Sequence, residues 1–532
     1  MKTSRFLALF LAIVMALGCI GAQAFADDVD QAESIVVAAD DDSFNVAPWT
    51  NSQGEINGYV QSIIWGKLAN RPYTGAMFAD GSMELVMAKE ITQVDGTTWN
   101  VTIYDNITDS KGNSITASDV KFSFDKNLEL GYYTYVNTYY DSCEVVSDTE
   151  LVFHTKAADE GGFESAVINT AICSQAWYES ATEDEILNDP ATTGAYYVEN
   201  VQNGHSVTMT AREDYWKTEN RASVELQNVK TIQILGMSEE DTRAMALENG
   251  EVDYAQVSTM AYNAIFKNNK DFVVYQIPKF MNAILNYNAS ENSVCSDPNV
   301  RKAIAYALDM DQVYLLGVGN DSYDLHYDIC PDITPDYLDK WNEEDYYAQD
   351  LEKSAEYLAA AGYEKGELTV RFIVRAQAPQ GAYVVMQQQL AEAGINMEII
   401  AYDRAVFNTY YEDATAWDIS ESGSEVTDFT ANFWSRMFSE DVYGADRGTE
   451  GFAVDAKLQE LLKAAVATRS EEDMDAFHQY YTYEQCYAIG MYNEINYFVA
   501  RAGITDIAKG TDNATLQAMT FTSDYKPVPV QK

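Results

Sequence analysis

The sequence predicts an α/β fold. Three observations carry it: short runs in which apolar and polar residues alternate, capped amphipathic helices between those runs, and no repeat or low-complexity linker dividing the chain. Trp99, Val101 and Ile103 alternate with Asn100, Thr102 and Tyr104 after the turn Asp95-Gly96, the period of a half-buried strand. Thr116, with Asp119 three residues on, has the pattern of a capping box, and Val120 and Phe124 then share one helix face. Ser238 is placed to cap a second helix, with Glu239, Glu240 and Asp241 at its positive end and Asn249-Gly250 as its stop. Asp297-Pro298 starts a third, striped by Val300, Ile304 and Leu308. Asp350 starts a fourth, which ends at Gly362 and should turn Leu351, Ala355 and Leu358 inward. A helix over residues 384–393 closes at Gly394, and Ile395, Met397 and Ile399 alternate as the next strand. Of two late helices, one carries Leu458, Leu461, Leu462 and Ala465 on its face. The other is capped by Ser470 and carries Met474, Phe477 and Tyr481.

The 532 residues are enough for two to four domains, and a hydrophobic content of 47% argues against disorder. Lys and Arg total 34 against 83 Asp and Glu, a formal charge of −49. That balance argues against nucleic acid as a partner, because phosphate binding needs clustered cations, and against electrostatic docking to anionic lipid. It also makes any single carboxylate uninformative, since solubility alone explains most of them.

The N-terminus reads as an export signal: Lys2 and Arg5, an apolar run from Phe6 to Ile20, then Ala24-Phe25-Ala26 as a cleavage pattern after residue 26. A lipoprotein reading, Ala16-Leu17-Gly18-Cys19, stands beside it with a lipid on Cys19. The expected location is therefore extracellular or periplasmic, either free or tethered through Cys19. Loss of the two leader cations would take the charge to −51. Five cysteines lie beyond Cys19, with no C-x-x-C pair. Cys295 with Cys330 is a conceivable disulfide, although buried thiols account for most of the five.

A search for catalytic chemistry finds little. The four histidines, His154, His205, His326 and His478, have no partner at metal-ligand spacing, and there is no H-E-x-x-H, G-x-S-x-G or phosphate-binding loop. Gly317-Val318-Gly319 lacks the third glycine of a dinucleotide fingerprint, and the acidic loop from Asp105 to Asn113 lacks EF-hand order. No cofactor and no metal are expected. A two-acid glycosidase stays open, because its carboxylates meet only in the fold.

Several segments nevertheless fall in a recognisable order. They are Asp95-Gly96-Thr97-Thr98-Trp99 through Thr116 to Ser123, Thr193-Gly194-Ala195-Tyr196 with Arg212-Glu213-Asp214-Tyr215-Trp216, and Asn249-Gly250-Glu251-Val252-Asp253. Asp297 to Asp309, Glu352 to Tyr363, and Gln388-Gln389-Leu390 with Gly394-Ile395 follow. Each alone is a capped helix or a turn; six in order resemble the extracellular solute-binding proteins of the dipeptide/oligopeptide ABC-transporter family, family 5. The resemblance implies a two-lobed periplasmic-binding-protein-like fold with a hinge and an additional subdomain inserted in lobe I. Lobe I would comprise residues 27–75, 189–283 and 498–532, the insertion 76–188, and lobe II 284–497. The crossovers are expected near Met281 to Asn288 and Asn496 to Arg501.

It also implies a function: a non-enzymatic, monomeric receptor that closes on a short peptide and delivers it to an ABC permease in the membrane. The same frame could hold an oligosaccharide or another small solute. The rivals of another class are a secreted glycosidase and a surface adhesion protein. A zwitterionic peptide needs both end charges paired in a closed cleft. The family's amine-binding acid best matches Asp428, although the usual Asp-Pro after it is missing and Asp418 is a rival. Its carboxylate-binding arginine, in a pattern R-P-x-x-P, matches Arg375 with Pro379, the first proline being absent. Trp49-Thr50-Asn51-Ser52 aligns with a loop that touches ligand backbone, which nominates Asn51 and Ser52. Trp434 is the aromatic residue best placed after the amine anchor, and the cluster Tyr132, Tyr133, Tyr135, Tyr139 and Tyr140 is a denser but less specific candidate.

Overall fold

The computed structural model describes residues 28–29, 31–40, 45–50, 55–71, 83–132, 134–156, 160–317, 323–332, 334, 336–343, 345–376, 378, 380–425, 429–439, 455–507 and 515–531. Its architecture is set by two long strands, Phe272–Tyr287 and Ala488–Arg501, which pair antiparallel from Phe272 with Arg501 to Asn286 with Ala488. They form the middle of an 11-stranded sheet that runs through both lobes. On the lobe I side the order continues Tyr254–Val257, Ala32–Ala39, Val229–Gly236, Ser206–Ala211 and Tyr196–Gln202. On the lobe II side it continues Ile419–Glu425, Thr369–Arg375 and Asn396–Tyr402, and the eleventh strand, Tyr323–Leu325, pairs with Ala488–Arg501 off this path. The crossing ladder breaks register between Pro278 and Asn282. A four-stranded sheet of Ala88–Asp95, Thr98–Ile103, Glu150–Thr155 and Tyr140–Val145 stands apart from the large one. It is packed through Trp99 stacked on Phe163 at 4.3 Å.

Local chemistry explains most helix starts. Thr116 and Asp119 make their capping box ahead of Ala117–Leu130, and Gly131 closes that helix at φ 69°. Asp297 caps Pro298–Ala307, Asp350 caps Leu351–Ala360, and Ser470 caps Glu471–His478. The strand Thr98–Ile103 buries Trp99, Val101 and Ile103 as its alternation requires.

Some expectations fail for identifiable reasons. The second helix runs Glu240–Glu248 with Glu239, not Ser238, at the cap position. The Ser238 carbonyl is drawn instead, with that of Met237, onto the Arg243 guanidinium. Leu351 and Ala355 face solvent. Ser354 and Leu358 face inward, because the Ser354 hydroxyl donates to the Ala303 carbonyl at 2.7 Å and sets that side against Pro298–Ala307. The helix expected at 384–393 begins earlier, as Gln380–Ala393, and Leu461 is only partly buried. Cys295 and Cys330 are buried and form no disulfide with each other, and Cys143, Cys173 and Cys486 are buried thiols as well. Tyr139 and Tyr140 belong to the core of the small sheet, with the Tyr140 hydroxyl donating to Asp125 at 2.6 Å, while Tyr132 is exposed.

The arginines of the recurring segments are structural. Arg212 donates to the carbonyls of Thr108, Asp109, Thr192 and Gly194, and Arg301 to those of Cys295, Ser296, Gln485 and Cys486. Each gathers loops distant in sequence onto one planar cation. Backbone approach is very close at Gly490 in the crossing strand. A Cβ there would lie 2.3 Å from the Asp328 carbonyl oxygen and 2.4 Å from that of His326. Gly490→Ala should therefore cost about 1–3 kcal/mol of stability through backbone displacement, read as a lowered Tm in thermal unfolding. An unchanged Tm would refute the contact.

Candidate functional site

The two lobes meet where the chain leaves the strand Ile419–Glu425 and enters the helix Thr430–Phe438. Asp336 holds the start of that helix, accepting from the backbone N–H of Thr430 at 2.8 Å and of Ala431 at 3.0 Å. Phe429, just before it, lies between two guanidiniums: Arg71 of lobe I with its Cζ 4.4 Å from the ring centroid, and Arg469 of lobe II at 4.0 Å. Asn432, one turn on, donates to the Ser165 hydroxyl of lobe I at 3.1 Å. These are direct contacts between lobes. Arg71 is almost wholly buried and gives one nitrogen to Glu164 at 3.1 Å; its Nε and Nη1 have no partner among the described residues.

Arg375 ends the strand Thr369–Arg375, paired in parallel with Asn396–Tyr402. It is exposed, its guanidinium lies 5.1 Å from the Phe407 ring centroid, and it forms no ion pair with any described carboxylate. In a chain with 83 acids this lack of a partner is informative. Arg371, four residues earlier on the same strand, shows the alternative outcome: it grips Asp418 with two bonds, Nε to Oδ2 and Nη2 to Oδ1, both 2.9 Å.

That grip bears on Asp418, the rival candidate for a ligand amine. Asp418 also accepts from the Arg371 backbone N–H at 2.8 Å and the Ser293 hydroxyl at 2.9 Å. Burial opposes its ionisation, yet Arg371 and these donors outweigh burial and hold the carboxyl below its usual range. Asp418 is thus a saturated structural acid with no capacity left for a ligand amine. Trp434 is likewise placed in the interior. Its indole N–H donates to Cys330 Sγ at 3.2 Å and its ring packs on Phe477 and Trp341, at 4.4 and 5.6 Å between centroids. In this conformation it offers no free face; it braces the helix that carries Asn432. Asp428, Asn51, Ser52, Pro379 and Cys19 lie outside the described residues, whereas Trp49 and Thr50 are buried beside them.

Sequence reasoning missed Arg71, Asn432 and the polar crossing between lobes. There Asn493 donates to Asn282 Oδ1 at 2.9 Å, Asn282 donates to His326 Nδ1 at 2.8 Å, and Asp328 pairs with the buried His478. The rarity of cations could have nominated Arg71; nothing local marks the asparagines. Among the described residues no group of three or more His, Cys, Asp or Glu is placed to hold a metal, and no helix is long and apolar enough to cross a membrane.

With this geometry in hand, the sequence model for bacterial extracellular solute-binding proteins, family 5 Middle, matches residues 83–444. The nickel-binding protein NikA of Staphylococcus aureus is 21% identical over 368 residues, 68% of this chain and 70% of that protein. The fold is shared with the ABC transporter substrate-binding protein CtaP of Listeria monocytogenes (TM-score 0.76, 15% identity, 93% of this chain and 100% of that one). It is also shared with the oligopeptide-binding protein AppA of Bacillus subtilis, solved with a nonapeptide (TM-score 0.69, 15% identity, 93% and 99%).

A pH prediction follows from Asp418. Its folded pKa lies below the unfolded value, so its contribution is complete above about pH 4 and is lost as pH falls further. Asp418→Asn should cost about 1–3 kcal/mol near neutral pH, discounted because Arg371 is one-third exposed, and should lose less additional stability than the parent on acidification. Denaturant unfolding at pH 7 and below pH 4 checks both parts.

Proposed function

The chain belongs to the bacterial extracellular solute-binding proteins, family 5, and from that premise we propose that it captures short peptides between its lobes and delivers them unchanged to an ABC permease. It acts as a monomer, outside the cytoplasm where this family works, with Cys19 as the point of any lipid tether. The lobes divide at the boundaries given above, with 76–188 as the insertion. The observation that carries the ligand class is Arg375: an exposed guanidinium with no ion pair to any described carboxylate, in a strongly acidic protein, at the end of a parallel strand. A cation so placed is available to a peptide carboxylate, which it can clamp with two parallel bonds. Asp428 takes the α-amine, and Asn51 and Ser52 contact ligand backbone. Asp418 being saturated strengthens the assignment of Asp428. Aromatic richness gives an oligosaccharide no particular support, since Trp434, Tyr139 and Tyr140 are interior.

Native mass spectrometry of freshly purified protein should show a mixed population of short peptides bound one per chain. An oligosaccharide, or a product of hydrolysis, would overturn the assignment. Arg375→Ala should weaken a tripeptide with a free carboxylate by about tenfold or more and leave its C-terminal amide nearly unaffected, as read by calorimetry. Asp428→Asn should do the same for the free against the N-acetylated amine.

A further inference from the structure

The segment that lies against the crossing strands carries a histidine whose protonation state is dictated by its neighbours. Asn282 and Asn493 stand opposite each other on the two crossing strands, at the register break. Asn282 is wholly buried and both ends of its amide are committed. Its Oδ1 accepts from Asn493 at 2.9 Å, and its Nδ2 donates to the Asp328 carbonyl at 3.2 Å and to His326 Nδ1 at 2.8 Å. An amide nitrogen only donates, so His326 Nδ1 is the acceptor and the ring is neutral, with its proton on Nε2. Turning the Asn282 amide over gives no escape, because Oδ1 would then face the Asp328 carbonyl and Nδ2 the Asn493 amide nitrogen. On the other side of the ring, His326 Nε2 faces the exposed Asp332 carboxylate at 3.7 Å. His326 holds that carboxyl below its usual range, against the opposing effect of burial.

A second proton on His326 therefore sets its two sides against each other. At Nδ1 it would meet the Asn282 N–H groups head-on, while Asp332 draws the imidazolium outward, away from the strands. The other titratable groups around the ring are Asp328, two residues on and paired with His478, Tyr337, whose ring centroid is 6.3 Å away, and Glu494, next to Asn493 on the crossing strand. We propose that His326 is a proton-operated catch on the crossover between the lobes. Neutral, it ties the segment 326–332 to both crossing strands through Asn282 and Asn493. Protonated, it lets go of Asn282 and moves toward Asp332, and the lobes lose their fixed alignment. The change falls between about pH 8 and pH 5, where histidines take up their second proton. A solute held by both lobes is then released in acid. The catch acts on lobe movement and does not depend on which solute is carried.

The test begins with the full chain free of ligand. Imidazole nitrogen NMR at about pH 7.5 should show His326 as the Nε2–H tautomer, its signals identified by their loss in His326→Gln. Between about pH 7.5 and pH 5.5 the radius of gyration from small-angle X-ray scattering should rise in the parent and stay constant in His326→Gln, which keeps an acceptor for Asn282 but takes up no proton. Asp332→Asn gives a second variant at an exposed position. Without the anion that draws the imidazolium outward, the rise should move to lower pH by about half a unit or more. A proton on Nδ1 at pH 7.5, a flat radius in the parent, or the same rise in His326→Gln overturns the catch; the last would place the titration on His478 or Glu494. Affinity for Ala-Ala-Ala by calorimetry should fall about tenfold over the same range in the parent and stay within about twofold in His326→Gln. Failure of any tripeptide to bind overturns the peptide reading alone, and the scattering still decides the catch.

Discussion

The pairing of Phe272–Tyr287 with Ala488–Arg501 is the interaction on which the rest depends. Both strands take part in both lobes, so the two cores are joined by one continuous ladder and by little else in the backbone. Rigid pairing on either side leaves the register break around Pro278 and Asn282 as the place where relative motion can be absorbed. At that break the side chains take over from the ladder: Asn493, Asn282, His326, Asp328 and His478 form a buried polar chain. Such a chain is directional, unlike apolar packing, and so fixes how the lobes are aimed when they close. Gly490 belongs to the same device, because only a missing Cβ lets the loop carrying His326 and Asp328 lie against the strand.

The distribution of arginine is the second organising fact. Arg212, Arg243 and Arg301 are buried and spend their donors on backbone carbonyls of loops far apart in sequence. Arg371 is saturated by Asp418. These residues explain why the recurring segments look as they do without any reference to ligand. Two described arginines are placed otherwise: Arg71, paired with Glu164, at the seam between lobes, and Arg375 at a strand end. With acids in such excess, the placement of the few cations is more informative than that of any one carboxylate.

How much of this was legible in the sequence divides along a physical line. Thr116, Asp297, Asp350 and Ser470 were readable as caps because a cap is satisfied within three residues. The alternation of Trp99, Val101 and Ile103 was readable because a strand's burial period is fixed by its geometry. Ser238 misled because Arg243 competes for its carbonyl, and Leu351 misled because Ser354 bonds to Ala303 of another helix; both are tertiary choices. Trp434 shows the same limit in the site. Its position after a candidate anchor was visible, but the direction of its ring was set by Cys330, Trp341 and Phe477, which come from other segments.

The direct contacts between lobes bear on how a receptor of this kind would discriminate. Among the described residues the lobes touch through a hydrogen bond from Asn432 to Ser165 and the stacking of Arg71 on Phe429. Each such contact contributes roughly 1 kcal/mol. Against them stands the mutual repulsion of two strongly acidic lobes, which salt screens over about 8–10 Å but does not abolish across a narrow seam. The balance is therefore small, and a ligand that touches both lobes decides it. A buried guanidinium such as Arg71, with two nitrogens lacking a partner among the described residues, would leave contact between the lobes alone short of its full stability. That deficit favours opening until something with acceptor atoms fills the cleft, so selectivity for the loaded form arises from what closure by itself fails to satisfy.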